Sequence, residues 1–270
     1  MDYINNFYTL TNPIAFEIFG FKVYWYGICY VFSLMVALFL GKYFGKQKGI
    51  SEKVIDNFFI WVEVGVILGA RIGYILIYDP HTSWYLANPW QIFNPFVNGE
   101  FVGIRGMSYH GAMIGFLISC ILFAKKYKMN LFKLLDICAL AIPFGYIFGR
   151  IGNFLNHELF GRETDASWAV NVEGIMRHPS QIYEAFSEGL LVFLLVLFVY
   201  KKFNPKDGVL VCVYGLGYSL SRFICEFFRE PDSQLGFVFS RFSMGQILSI
   251  FMFILSSLLC LYISKFYYKK

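Results

Sequence analysis

Seven apolar stretches, at 24–40, 57–78, 107–124, 134–148, 182–200, 208–223 and 244–263, punctuate the chain. Each approaches the ~20 residues that a helix needs to cross a bilayer. Polar positions gather between them, so the pattern predicts an all-α polytopic membrane protein with seven transmembrane helices. No basic region precedes the first stretch and no small-residue cleavage site follows it, so it is expected to stay as a helix.

Composition agrees with that class. With 57% apolar, 21% aromatic and 15% charged residues, the chain lacks the polar side chains to cover a water-soluble globule. The lysines then orient the bundle. Lys42, Lys46, Lys48 and Lys53 follow the first stretch, Lys125, Lys126, Lys128 and Lys133 the third, Lys201, Lys202 and Lys206 the fifth, and Lys265, Lys269 and Lys270 the last. By the positive-inside rule these alternate loops are cytoplasmic, which predicts an N-terminus outside and a cytoplasmic C-terminus. The formal charge of +5 is therefore a topology signal, and with no basic face or binding motif beside it no nucleic acid is expected as a partner.

Between the predicted spans, 79–106 and 150–181 are long enough to have shape and are expected outside, the second as a small extracytoplasmic head. No repeat or separate soluble domain is visible, so residues 1–270 are read as a single integral membrane domain. Cys29, Cys120, Cys138, Cys212, Cys225 and Cys260 all fall in predicted spans without a CxxC pair, indicating neither a disulfide framework nor a metal site. No cofactor is expected.

On this topology Tyr26, His110, Arg150, Asn153, Tyr183, Glu184, Arg222 and Glu226 all fall within about two turns of the outer boundary. Arg222 and Glu226 are four apart and can pair on one helix face, either as a self-neutralising structural pair or as part of a site. Arg71 lies eight residues after Glu63, beside a small-residue stripe of Gly65, Gly69 and Gly73 that suits close helix packing, and a structural ion pair is expected there. Tyr26 can be an interfacial aromatic anchor, and His110 a hydrogen-bonded structural group or an ionisable functional one. His178 reads as a loop residue that helps start the fifth span.

The densest cluster is Gly149-Arg150-Ile151-Gly152-Asn153-Phe154-Leu155-Asn156-His157-Glu158-Leu159-Phe160-Gly161. It sets a fixed cation, two carboxamides and a carboxylate where hydrocarbon meets water, which suggests a site for an anionic lipid headgroup. This run resembles the signature of bacterial prolipoprotein diacylglyceryl transferases. Supporting matches keep order along the chain: Trp25-Tyr26-Gly27, Gly106-Met107-Ser108-Tyr109-His110-Gly111, His178-Pro179-Ser180-Gln181, Arg222-Phe223-Ile224-Cys225-Glu226-Phe227-Phe228-Arg229 and Met244-Gly245-Gln246. Ala112 departs from the family, which commonly has a second glycine after His110-Gly111, and it adds a methyl without removing a chemical group.

The resemblance implies transfer of a diacylglyceryl group from phosphatidylglycerol to the lipobox cysteine of a prolipoprotein signal peptide, the first step of lipoprotein maturation. It implies a multi-pass protein of the bacterial cytoplasmic (inner) membrane, in contact with membrane lipids and with its active site at the outer leaflet. Arg150 and Arg222 are then expected to hold the phosphate, while Asn153, Asn156 and Glu158 bond the headgroup or fix the arginines. Gly161 belongs to the same lipid-binding set, Glu226 orients Arg222, and either His110 or Tyr26 deprotonates the thiol or positions the lipid. The residues alone leave two other classes open. A transporter or flippase would show discontinuous helices, for which the glycine-rich fourth stretch is the candidate, and a lipid-binding scaffold would bind without reaction.

Overall fold

A computed structural model describes residues 5–97, 99–101, 103–104, 106–231, 237–238 and 242–267. Arg105, which directly precedes the His110 motif, and Lys269 and Lys270 of the lysine pattern lie outside them. Among the described residues five helices are long and apolar enough to cross a membrane: Trp25–Gln47 (α2), Glu52–Ile77 (α3), Leu131–Leu155 (α6), Ser180–Phe203 (α7) and Met244–Lys265 (α9). Two shorter apolar helices, Tyr109–Lys126 (α5) and Val209–Cys225 (α8), take the other two predicted stretches. Phe7–Leu10 (α1) and Thr82–Ala87 (α4) are short helices outside those stretches. The chain is thus a mostly helical, multi-pass membrane protein. Its contacts divide it into two units, Met1–Phe44 with Leu135–Lys270, and Gly45–Leu134.

In the second unit, α3 and α5 lie backbone to backbone. A Cβ on Gly73 would stand 2.7 Å from Gly111 Cα, and one on Gly65 would stand 2.7 Å from the Gly115 carbonyl. The predicted small-residue stripe therefore has a matching stripe on α5, and dispersion between closely approached backbones replaces the hydrophobic drive that lipid removes. Ser108 starts α5 by accepting the Gly111 N–H (3.2 Å). Between the helices the 79–106 segment forms α4, a 3₁₀ turn at Pro89–Gln91 and a hairpin of Phe96–Val97 (β3) with Glu100–Phe101 (β4).

Among the described residues the first unit holds the remaining long helices and three hairpins. These are Ile14–Ile18 (β1) with Phe21–Tyr24 (β2), Val170–Val172 (β5) with Ile175–Arg177 (β6), and Phe237–Val238 (β7) with Phe242–Ser243 (β8). Phe44, Ala139, Leu140, Val192, Val196 and Leu210 form a buried core toward the lysine-rich end of this unit. There Asp136 of α6, fully buried, accepts the N–H groups of Gly208 and Val211, both at 2.9 Å. One helix thus caps another, with bonds to a charged acceptor worth about 1.5–3 kcal/mol each. At the opposite end a capping box starts α9, with Ser243 Oγ accepting from Gln246 N and Gln246 Oε1 accepting from Ser243 N.

Two expectations change. The fourth stretch does not break: α6 runs unbroken through Pro143. It also extends to Leu155, so Arg150 and Asn153 belong to the last turns of a helix, and the segment between α6 and α7 begins only after residue 155. Gly152 allows that extension, because it packs on α2, where a Cβ would come 2.9 Å from Cys29 Cβ.

Candidate active site

Three helix ends meet here. α6 brings Arg150, α7 starts with Glu184 and Glu188 in its first turns, and α8 ends with Arg222 and its C-cap Glu226. Directly after Glu184, α7 widens into a π-helical turn, Ala185–Leu191. Such turns are uncommon and recur at functional sites. Gly189 lets this turn approach α6, since a Cβ there would stand 3.3 Å from the Pro143 carbonyl.

Glu184, fully buried, is the hub. Its carboxylate lies 2.9 Å from Arg150 Nε, 2.9 Å from Arg222 Nη1 and 3.3 Å from Arg229 Nη1. Glu188, equally buried, accepts the Tyr146 hydroxyl proton at 2.5 Å and faces Arg222 Nη1 at 3.5 Å. Glu226 pairs with Arg222 Nη2, stands 4.0 Å from Arg229 Nε and accepts from Ser243 Oγ at 2.6 Å. The carboxylate of Glu226 occupies the space a side chain at 245 would need, which is why Met244-Gly245-Gln246 has a glycine there. Three guanidiniums are thus set against three carboxylates, and mutual pairing offsets the cost of withdrawing charge from water.

The signature run continues this network. Arg150 Nη1 donates to Asn153 Oδ1 (3.3 Å), and Asn153 Nδ2 donates to Glu158 Oε1 (2.8 Å). His157 and Leu159 adopt positive φ, 56° and 60°, and with the Glu158 N–H on the Asn153 carbonyl (3.1 Å) they fold the chain back over the helix end. Non-glycine residues in that conformation are held by their surroundings. Here Gln181 Nε2 donates to the Glu158 carbonyl (2.6 Å) and Ser180 Oγ to the Leu159 carbonyl (3.1 Å). Phe7 and Tyr8 of α1 stack on Phe154 and His157, with centroids 4.8 and 4.4 Å apart. Burial pulls the imidazoles of His157 and His178 below the usual histidine range, favouring their neutral forms, and raises the Tyr8 phenol.

The two arginines are not equivalent. Both terminal nitrogens of Arg222 are committed to carboxylates. Arg150 gives its single Nε–H to the Tyr146 hydroxyl oxygen (2.6 Å), so Glu184 Oε2 is held beside that nitrogen by charge rather than by a hydrogen bond. Its Nη1 bonds Asn153, and its Nη2 has no partner among the described residues. A forked, permanently charged donor edge is therefore left for an anion at the helix end.

Other predicted residues fall around this centre. Tyr26 packs on Gly152, and its ring stacks on Tyr30 with centroids 6.3 Å apart. The Asn156 amide oxygen is buried without a partner among the described residues. Gly161 has its N–H on the His178 carbonyl (2.9 Å) and its own carbonyl on Arg177 Nη1 (3.1 Å), with the Phe228 carbonyl where a Cβ would sit. That position ties the segment after α6 to the end of α8, as does Arg162, whose guanidinium donates to the Arg229 and Glu226 carbonyls there (2.9 and 3.0 Å). Tyr183 meets the segment between α6 and α7, accepting from Trp168 Nε1 (2.6 Å) and lying 3.1 Å from His178 Nδ1.

His110 and Arg71 belong to the second unit. His110 sits exposed in the first turn of α5, its Nδ1 3.5 Å from the Tyr78 hydroxyl. Arg71 corrects an expectation. Its guanidinium donates to the carbonyls of Ile92 (2.6 Å) and Gly106 (3.3 Å) and to the Tyr85 hydroxyl (3.4 Å). Glu63, eight residues earlier and about 12 Å along the helix, is out of reach of these bonds. Arg71 therefore anchors the 79–106 segment.

Sequence reasoning gave Glu184 no role and passed over Glu188 and Tyr146. Two carboxylates four apart inside an apolar run were the available signal, since ionisable groups at such depth face a partner or a cavity. Tyr146, among phenylalanines, carried none.

Comparison with known proteins places this arrangement. A family profile described as prolipoprotein diacylglyceryl transferase matches residues 13–262. The phosphatidylglycerol–prolipoprotein diacylglyceryl transferase of Campylobacter lari is 60% identical over 265 residues, covering 97% of both chains. That of Campylobacter curvus is 60% identical over 267 residues, covering 98% of both. That of Campylobacter jejuni is 60% identical over 256 residues, 94% of both. With a profile spanning nearly its whole length and relatives this similar, the chain belongs to the prolipoprotein diacylglyceryl transferase family.

Proposed function

We propose that this chain transfers the diacylglyceryl group of phosphatidylglycerol to the lipobox cysteine thiol of a prolipoprotein. The thiol sulfur forms a bond to the glycerol carbon, the bond from that carbon to the phosphate oxygen breaks, and glycerol phosphate leaves. The thiol proton leaves with a base. The observation that carries this reading is Arg150, whose Nη2 has no partner among the described residues although the guanidinium sits beside a buried ion network at the end of a membrane helix.

A phosphodiester that leaves as a monoester gains charge, and donors fixed in place before the reaction stabilise that charge without reorganising. Arg150 supplies the fork. Asn153 and Glu158 keep its plane in register, and Arg222, held by three carboxylates, fixes Glu184 and Glu226 in place. Asn156, with its unpaired amide oxygen, is a candidate for the headgroup hydroxyls. Seven spans follow if α5 and α8 also cross, since 18 and 17 residues lie within the lengths that can span. The lysine pattern supports a cytoplasmic C-terminus and a site at the outer leaflet of the cytoplasmic membrane, where signal peptide and lipid meet.

The test is chemical. Purified protein with phosphatidylglycerol and a lipobox peptide is expected to add the mass of a diacylglyceryl group to cysteine, and a cysteine-to-serine peptide is expected to gain nothing. Lipid binding without that gain would make the chain a scaffold. For the base, His110→Asn is expected to lower transfer by about 100-fold or more while leaving phosphatidylglycerol binding intact, since asparagine keeps polarity but cannot take a proton. Unchanged activity with an unmoved pH profile would make His110 structural and pass the role to Tyr26.

A further inference from the structure

A guanidinium has three donor nitrogens in one plane, and which edge meets a ligand is decided by what holds the others. In Arg150 the Nε edge is taken by a residue of its own helix, one turn earlier. Tyr146 Oη accepts the Nε–H at 2.6 Å, and the guanidinium carbon lies 4.8 Å from the Tyr146 ring centroid, so the ring supports the group while the hydroxyl fixes its rotation. A hydroxyl can serve in that way only if its own proton points elsewhere. It does: Tyr146 donates to Glu188 Oε2 at 2.5 Å, and Glu188, with no solvent exposure, is held from the other side by Arg222 Nη1 at 3.5 Å. The relay has one direction, from Arg150 to Tyr146 to Glu188.

We infer that Tyr146 and Glu188 are positioning residues that turn the free edge of Arg150 toward the lipid phosphate. The inference rests on the transfer proposed above. Without the Tyr146 hydroxyl, the nearest acceptor for Nε is Glu184 Oε2, 2.9 Å away, and a bond to it would rotate the guanidinium plane and carry the Nη edge off the phosphate. The network would remain neutral and packed, but aimed wrongly.

Transfer kinetics test this in the full-length protein with phosphatidylglycerol as the varied substrate. Tyr146→Phe, which keeps the ring, is expected to raise KM about tenfold and also to lower kcat about tenfold, because the edge it turns away both binds the phosphate and stabilises the charge the phosphate gains. Glu188→Leu should reproduce both changes. Glu188→Gln, which still offers an oxygen to the tyrosine, should stay within about threefold of the parent. The double variant Tyr146→Phe/Glu188→Leu should be no worse than the more damaging single change, because both remove one relay. A Tyr146→Phe enzyme with the parent KM, or a double variant whose losses multiply, would overturn the inference. If Glu188→Leu does not fold, Tyr146→Phe and Glu188→Gln still decide it. A parent that transfers nothing would instead overturn the functional reading.

Discussion

Arg150→Lys is expected to lower diacylglyceryl transfer by about 10²–10³-fold, close to the loss from Arg150→Ala, because a transition-state donor is removed in both. Lysine keeps the charge, so a requirement for positive potential alone would leave most of the activity. The geometry asks for more than potential. Arg150 bonds Tyr146 through Nε and Asn153 through Nη1 at the same time, and still has Nη2 to offer. An ammonium is a point charge on a flexible stem and cannot hold those two partners in a plane while presenting a fork. It would pair with Glu184, which lies 2.9 Å from the native Nε. The measurement is the initial rate of cysteine lipidation, normalised to folded protein. A lysine variant within a few-fold of the parent would remove phosphate gripping from Arg150 and leave the signature a helix-ending device.

Much of this was legible in the chain. Apolar runs locate the long helices because lipid imposes one period and one length, and the glycines of α3 disclose close packing by another helix, though not that the partner is α5. The cluster from Arg150 to Glu158 stood out because fixed charge at a helix end is costly. Partner choice was not legible. Spacing could pair Arg222 with Glu226, since four residues on one helix are neighbours, but it could not show that Arg222 also meets Glu184 and Glu188 from α7. The same limit misdirected Arg71 toward Glu63, although its donors are met by loop carbonyls at Ile92 and Gly106. Backbone acceptors have no residue type, so composition cannot reveal them. Glu184 and Tyr146 act through contacts between helices, which depend on rotation of one helix against another.

The carboxylate of Glu184 is expected to matter even before substrate binds. Glu184→Leu should destabilise the purified protein by about 3–5 kcal/mol, the cost of breaking a buried ion pair by removing one partner. Its carboxylate faces three guanidiniums, and the loss is unequal. Arg222 keeps Glu188 and Glu226, whereas Arg150 keeps, among the described residues, the neutral groups of Tyr146 and Asn153. An isolated cation in a largely buried position then either draws in water or pulls its helix end out of the bundle. Glu184→Gln should recover part of the loss, because its amide oxygen still accepts a hydrogen bond although the charge is gone. Thermal unfolding in detergent, followed through the loss of helical signal, checks both variants. If Glu184→Leu melts with the parent, the three arginines are solvated independently, and the buried network does not hold α6, α7 and α8 together at this end.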